Sequence, residues 1–271
     1  MRNILLLIVL LLLPLSANAE RILALSPHAC EILAAIGAID EMVGVVEYCD
    51  YPKSLERFSK VGGHNRIQVE SAMVLEPTLA IVMNDGTKAV KKLRKLGVEI
   101  VVSNPTNIKT MFAEIHRLGV LSGHAKEAET VVSKLQHQLN GLDVLKRKKE
   151  ISVFYEIWSD PLMTAGGSSL IHDVLKRAGL KNVFEDIPQE GPRVNVEAVV
   201  RAAPHVIIIP AENRNILERE KFWKKWLGED VMVISINADL LHRPTPRLID
   251  GMEALMRKIS ELPDQELAQY D

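Results

Sequence analysis

Along the chain, short runs of consecutive apolar residues alternate with stretches whose apolar residues recur every three or four positions. The first pattern belongs to buried strands, the second to helices with one apolar face. Residues 21–26, 42–48, 79–83 and 98–103 predict strands, and residues 29–36, 69–75, 88–96 and 108–118 predict helices. Gly37, Gly97 and Gly119 sit where helix C-terminal glycines belong. The same alternation restarts after residue 150, with strand-like runs at 151–158, 206–209 and 231–236. Helical patterns cover 170–178 and 196–203, and Gly179 follows the first. Strands alternating with helices give βαβ units and a parallel sheet.

Between the halves, from Ala125 to about Arg147, apolar residues fall at Ala128, Val131, Val132, Leu135, Leu139, Leu142 and Leu145. That is helical spacing, and at 1.5 Å per residue it predicts a rod of about 35 Å, weakened locally at Gly141. One long helix joining two α/β lobes is a stiff connector that permits little relative lobe motion. The halves also repeat. Arg66-Ile67-Gln68-Val69-Glu70 matches Arg193-Val194-Asn195-Val196-Glu197 at an offset of 127 residues, without gaps as far as Pro77 and Pro204. A duplicated α/β unit places a ligand at the carboxyl ends of its strands, in the crevice between lobes.

The N-terminus reads as an export signal. Arg2 precedes a 12-residue apolar run from Ile4 to Leu15, and Ala17-Asn18-Ala19 fits a cleavage site. The run is too short to span a bilayer. The expected organisation is a signal peptide over 1–19 cleaved after Ala19, a first lobe over 20–122, a connecting helix over 123–149 and a second lobe over 150–271, exported to the periplasm. Lys and Arg total 33 against 35 Asp and Glu, which removes the basic excess of a general nucleic-acid binder. Cys30 and Cys49 are the two cysteines. In an oxidising compartment they form a disulfide or stand as two buried small hydrophobes. Cys30 begins the first helix and Cys49 ends the second strand, so a bridge closing about 20 residues is geometrically reasonable if those strands are neighbours.

The chain carries no G-x-S-x-G, P-loop, G-x-G-x-x-G or H-E-x-x-H motif. Gly166-Gly167-Ser168-Ser169 reads as a turn and N-cap rather than an anion site. Nothing pairs a nucleophile with a base, so a binding protein without catalytic cofactor is expected, not an enzyme. Trp223 and Trp226, three apart, predict one helix face packed on the core. Lys88, Lys91, Lys92 and Lys95 predict a solvated face.

The opening Arg21-Ile22-Leu23-Ala24-Leu25-Ser26-Pro27, followed by Glu31, resembles the start of the metal-chelate class of periplasmic binding proteins, which serve ATP-driven importers of cobalamin, haem and iron–siderophores. Tyr48-Cys49-Asp50-Tyr51-Pro52 is similar to the corresponding segment of its vitamin B12 branch, and Val61-Gly62-Gly63, Leu75-Glu76-Pro77, Thr164-Ala165-Gly166, Asn182-Val183-Phe184 and Arg243-Pro244-Thr245-Pro246-Arg247-Leu248 follow in family order. The resemblance implies two Rossmann-like lobes joined by a single long helix. It implies a monomer that captures cobalamin or another corrinoid and delivers it to an inner-membrane ABC permease dimer. On this pattern Glu70 and Glu197 dock the permease; alternatively each only complements a helix dipole in a first turn. Tyr48 stacks on the macrocycle and Asp239 accepts hydrogen bonds from corrin amides.

This sequence departs from the family's aromatic cleft. His64 and Met83 stand at two tryptophan positions, Met163 at a phenylalanine and Gly191 at a third tryptophan, so a roomier, less aromatic pocket is expected. His242 and Arg243 complete the expected ligand set. Three alternatives stay open at this level: haem, with His64, Met83, Met163 or His242 as axial ligand; a bare metal on His28, His64 and Asp239; and an anionic siderophore on Arg66, Arg193, Arg243 and Arg247.

Overall fold

The computed structural model describes residues 20–63, 66–211 and 216–263. The expected signal peptide, its cleavage after Ala19, and His64 lie outside the described residues. Ile22-Leu23-Ala24 is wholly buried and forms β1 (Ile22–Ala24). The N-terminal lobe continues through α1 (Pro27–Ala35), β2 (Met42–Val45), the short hairpin β3 (Gly62–Gly63) and β4 (Arg66–Ile67), α2 (Val69–Val74), β5 (Leu79–Val82), α3 (Lys88–Lys95), β6 (Glu99–Val102) and α4 (Ile108–Leu121). Local chemistry sets the helix starts. The Thr87 hydroxyl accepts from Val90 N at 3.2 Å, and Asn107 with Thr110 forms a capping box at α4.

After α5 (Ala125–Gly141), the C-terminal lobe runs through β7 (Ile151–Ser159), β8 (Leu162–Thr164), α6 (Leu170–Arg177), β9 (Leu180–Asn182), α7 (Val196–Ala202), β10 (Val206–Pro210), α8 (Ile216–Leu227), β11 (Met232–Ile236), α9 (Ala238–Leu241) and α10 (Leu248–Ser260). The N-terminal sheet has the order β2-β1-β5-β6, all parallel. The C-terminal sheet runs β9-β7-β10-β11, also parallel, with β8 added antiparallel at the upper end of β7. Both lobes therefore place their first strand beside their second and third. The sequence repeat is this duplication: α2 and α7 begin 127 residues apart, and so do β5 and β10.

The connector differs from the expected rod. The α-helix ends at Gly141, and Leu142–Leu145 wind on as a 3-10 turn. Glycine is the weakest helix former after proline, and the helix stops there. Nor does α5 stand free: it turns back at Gly123 to pack along α4, and α10 packs on its end. A continuous apolar core runs from β1 through Leu135 and Leu139 of α5 to Val153 of β7 and Met252 of α10. A second cluster sits under α8, where Phe154 meets Trp223 edge-on at 5.2 Å. Trp223 is fully buried, but Trp226 is 46% exposed and leans on Phe222, so the two tryptophans do not share a core face. Three residues is 300° of helix, which carries the second ring toward the edge of the apolar stripe.

Candidate functional site

Loops at the carboxyl ends of both sheets face one another across a cleft, as the fold demands. Its interlobe part is a cavity of about 310 Å³ lined by His28, Met83 and Asn104–Thr106 from the first lobe and by Ile157, Gly191 and His242 among others from the second. A neighbouring cavity of about 390 Å³ lies within the C-terminal lobe, between Glu156–Ser159 of β7, Pro210 and Ala238, Asp239 and His242 of α9. The two share Ile157 and His242.

Of the residues singled out in the sequence, His28, Met83, Gly191, Asp239 and His242 line these cavities. Met163 is part-buried on β8; a Cβ on Gly191 would lie 3.4 Å from its methyl, so those two positions are neighbours. Tyr48 is 55% exposed in the turn after β2, three residues beyond the strand end, rather than on the strand itself. His242 is held by a hydrogen bond between its Nε2 and the buried Tyr155 hydroxyl at 3.0 Å. His28 is buried and bonded to Ser103 Oγ at 2.8 Å. Burial drives its pKa down to about 4 against the opposing pull of Glu114, which keeps the ring neutral above that pH. Among the described residues no three His, Cys, Asp or Glu side chains gather as a metal site.

A charged knot ties the lobes behind the cleft. Glu31 of α1, 2% exposed, accepts from Arg243 at 3.1 Å and from Arg247 at 2.7 Å through each of two nitrogens. Arg243 also reaches Asp50 of the first lobe at 2.8 Å and Asp239 of its own at 2.9 Å. Burial would lower the Arg243 pKa, but Asp50, Asp239 and Glu31 together hold it above the usual arginine value. Arg247, held up chiefly by its bond to Glu31, stacks its guanidinium 3.9 Å over the Tyr51 ring. Neither arginine is free to hold an anionic chelate. The other two arginines, Arg66 and Arg193, are exposed on the approaches to α2 and α7.

Cys30 and Cys49 form a disulfide, with Cα atoms 6.0 Å apart. It pins the turn carrying Tyr48 and Asp50 to the first turn of α1. Glu70 and Glu197 are both exposed at the second residue of their helices, α2 and α7, one per lobe in equivalent places. Their surroundings differ: Glu70 pairs with Lys92 of α3 at 2.5 Å, which with the helix amides lowers its pKa. The sequence pattern assigns no role to Glu31 and Tyr51, which belong to the knot behind the cleft, or to Trp158, which lines the C-terminal cavity. Glu31 and Tyr51 lie inside the recognised motifs, but only their partners two hundred residues away give them a role; Trp158 sits in a plain strand pattern.

The chain matches the model of a family described as periplasmic binding protein over residues 22–224. It is 30% identical over 263 residues, covering 96% of this chain and 93% of the relative, to a protein of Yersinia pseudotuberculosis serotype O:1b (strain IP 31758) named vitamin B12-binding protein. Among solved structures it is similar to the periplasmic vitamin B12 binding protein of Vibrio cholerae, with TM-score 0.78 and 29% identity over 90% of this chain and 99% of that one. The periplasmic heme-binding protein from Roseiflexus sp. RS-1 shares the fold, with TM-score 0.80 and 19% identity over 90% of this chain and 99% of that one. Two lobes of equal strand order facing a cleft, and matches that run nearly end to end, lead to one conclusion: this chain belongs to the periplasmic binding protein family.

Proposed function

We propose that this protein captures cobalamin or a related corrinoid in the cleft between its lobes and delivers it to an ABC importer of the inner membrane. The observation that carries this reading is the near end-to-end likeness to relatives named for vitamin B12. The cleft supports it. Tyr48 offers an exposed ring in the turn whose Asp50 reaches Arg243 of the second lobe, and Asp239 offers an acceptor for amide groups at the C-terminal cavity. Arg243 and Arg247 are already neutralised by Glu31, Asp50 and Asp239, which favours an uncharged or weakly charged chelate over a polyanionic siderophore. Met83, Met163, His242 and Arg243 complete the proposed ligand set, together with His64, which lies outside the described residues.

The role is binding and delivery rather than turnover. The chain works as an exported monomer, cleaved after Ala19. Glu70 and Glu197 each meet a basic group on one subunit of a two-fold permease, one contact per lobe. Titration calorimetry of residues 20–271 against cyanocobalamin, cobinamide and hemin tests the ligand. One-to-one binding of a corrinoid without hemin is the expected result. Hemin binding alone replaces the corrinoid reading with haem capture, and silence with all three rejects both.

A further inference from the structure

Trp158 is an indole that the fold leaves open to solvent at the wall of the C-terminal cavity. It is 61% exposed, near the end of β7, and it lines the cavity of about 390 Å³ with Pro210, Asp239 and His242. Two residues earlier on the same strand, Glu156 is 1% exposed and fixed by Arg219 and the Trp223 indole, so the strand beneath is rigidly held. The one polar atom of Trp158 is already used: Nε1–H donates to the Asp160 carbonyl at 2.6 Å. That local bond sets the ring's orientation and leaves apolar ring surface as what it presents. Trp226, the other exposed indole, leans on Phe222, whereas Trp158 has no ring neighbour among the described residues.

Among the described residues the other aromatic ring lining this cavity is the His242 imidazole, which is already bonded to the Tyr155 hydroxyl. Across the β7–β8 hairpin Trp158 is paired with Met163, and Met163 abuts Gly191. A large apolar surface held in one orientation, beside a carboxylate and over an open cavity, suits a flat ligand with polar edge groups. We propose that Trp158 is the stacking platform of the C-terminal half of the pocket, lying against the corrin ring itself while Asp239 takes its peripheral amides. This rests on the corrinoid reading above and adds to it the residue that recognises the planar part of the ligand.

The location makes a specific demand. A contact to the ring is common to cyanocobalamin and to cobinamide, which lacks the nucleotide loop, so its loss must weaken both alike. Calorimetric titration of wild type, Trp158→Ala and Trp158→Phe with each compound tests this, with thermal unfolding as the control for folding. Trp158→Ala should weaken both by about tenfold, and Trp158→Phe, which keeps a ring, by no more than about threefold, with unfolding temperatures unchanged. The visible spectrum of the bound corrinoid at saturation should also differ between Trp158→Ala and wild type. Trp158→Ala binding within twofold of wild type, or a loss confined to cyanocobalamin, overturns the inference while leaving the corrinoid reading intact. Wild-type protein that binds neither compound overturns both.

Discussion

The two lobes share a strand order but not a rim. On the N-terminal side the cleft-facing loops are tied down three times: by the Cys30–Cys49 disulfide, by Glu31 beneath two arginines, and by the neutral His28 bonded to Ser103. On the C-terminal side His242 is held by Tyr155, but Trp158 and Asp239 stand at the surface of an open cavity. A duplicated fold keeps its parallel core because the central strands are covered on both faces. Loops at the strand ends carry no such constraint and diverge in chemistry. The N-terminal loops are the more firmly tied, and the C-terminal side leaves the Trp158 ring open beside its cavity.

That contrast can be broken most severely at Glu31. Glu31→Ala removes the carboxylate that pairs both Arg243 and Arg247, leaves Arg247 part-buried without an ion-pair partner among the described residues, and should cost about 4 kcal/mol of stability in urea unfolding. A change of under 1 kcal/mol would mean that the charged knot does not hold the lobes. Replacing both Cys30 and Cys49 by Ser should cost about 3 kcal/mol, from the loop the bridge closes in the unfolded chain. Unfolding of oxidised and reduced protein under the same conditions checks it.

The third effect is one of pH. His28 has its folded pKa lowered to about 4 from 6.5, so between those values the unfolded chain binds the proton that the native one refuses. Stability is complete above pH 6.5 and falls as the pH drops toward 4, by about 2 kcal/mol between pH 7.5 and 5. His28→Gln should flatten that dependence, and an unchanged slope in the variant would assign it to other groups. The smallest effect sharpens the contrast from the open side. Trp158→Ala should alter stability by no more than about 0.5 kcal/mol, since its ring is mostly in water. Trp223→Ala, in the same lobe but fully buried, provides the scale against which that near-silence is read.

Much of this molecule was legible as pattern. Ile22-Leu23-Ala24, Leu79–Val82 and Val206–Pro210 read as buried strands because short apolar runs between helical patterns suit strands covered on both faces. The repeat at Arg66 and Arg193 announced the duplicated lobe, and with it the equivalent placing of Glu70 and Glu197 at two helix starts. The short strands β8 and β9 left no such trace, being three residues each and defined by partners rather than by period. The continuous rod over 125–147 was overdrawn, because apolar spacing runs on through a 3-10 turn without marking where the α-helix stops.

The sequence by itself determined what depends on near neighbours: element type, the glycines Gly37, Gly97 and Gly179 that follow their helices, and the two-lobed order. Tertiary structure alone decided which of Trp223 and Trp226 is buried, and that Trp158 opens onto a cavity. It also decided that Glu31 would meet Arg243 and Arg247 from the opposite end of the chain, 212 and 216 residues away. Periodicity reports the face a residue presents, but the identity of the partner on that face is set by how whole sheets are ordered and docked. A carboxylate or an indole acquires its role only when that docking brings the distant strand end beside it.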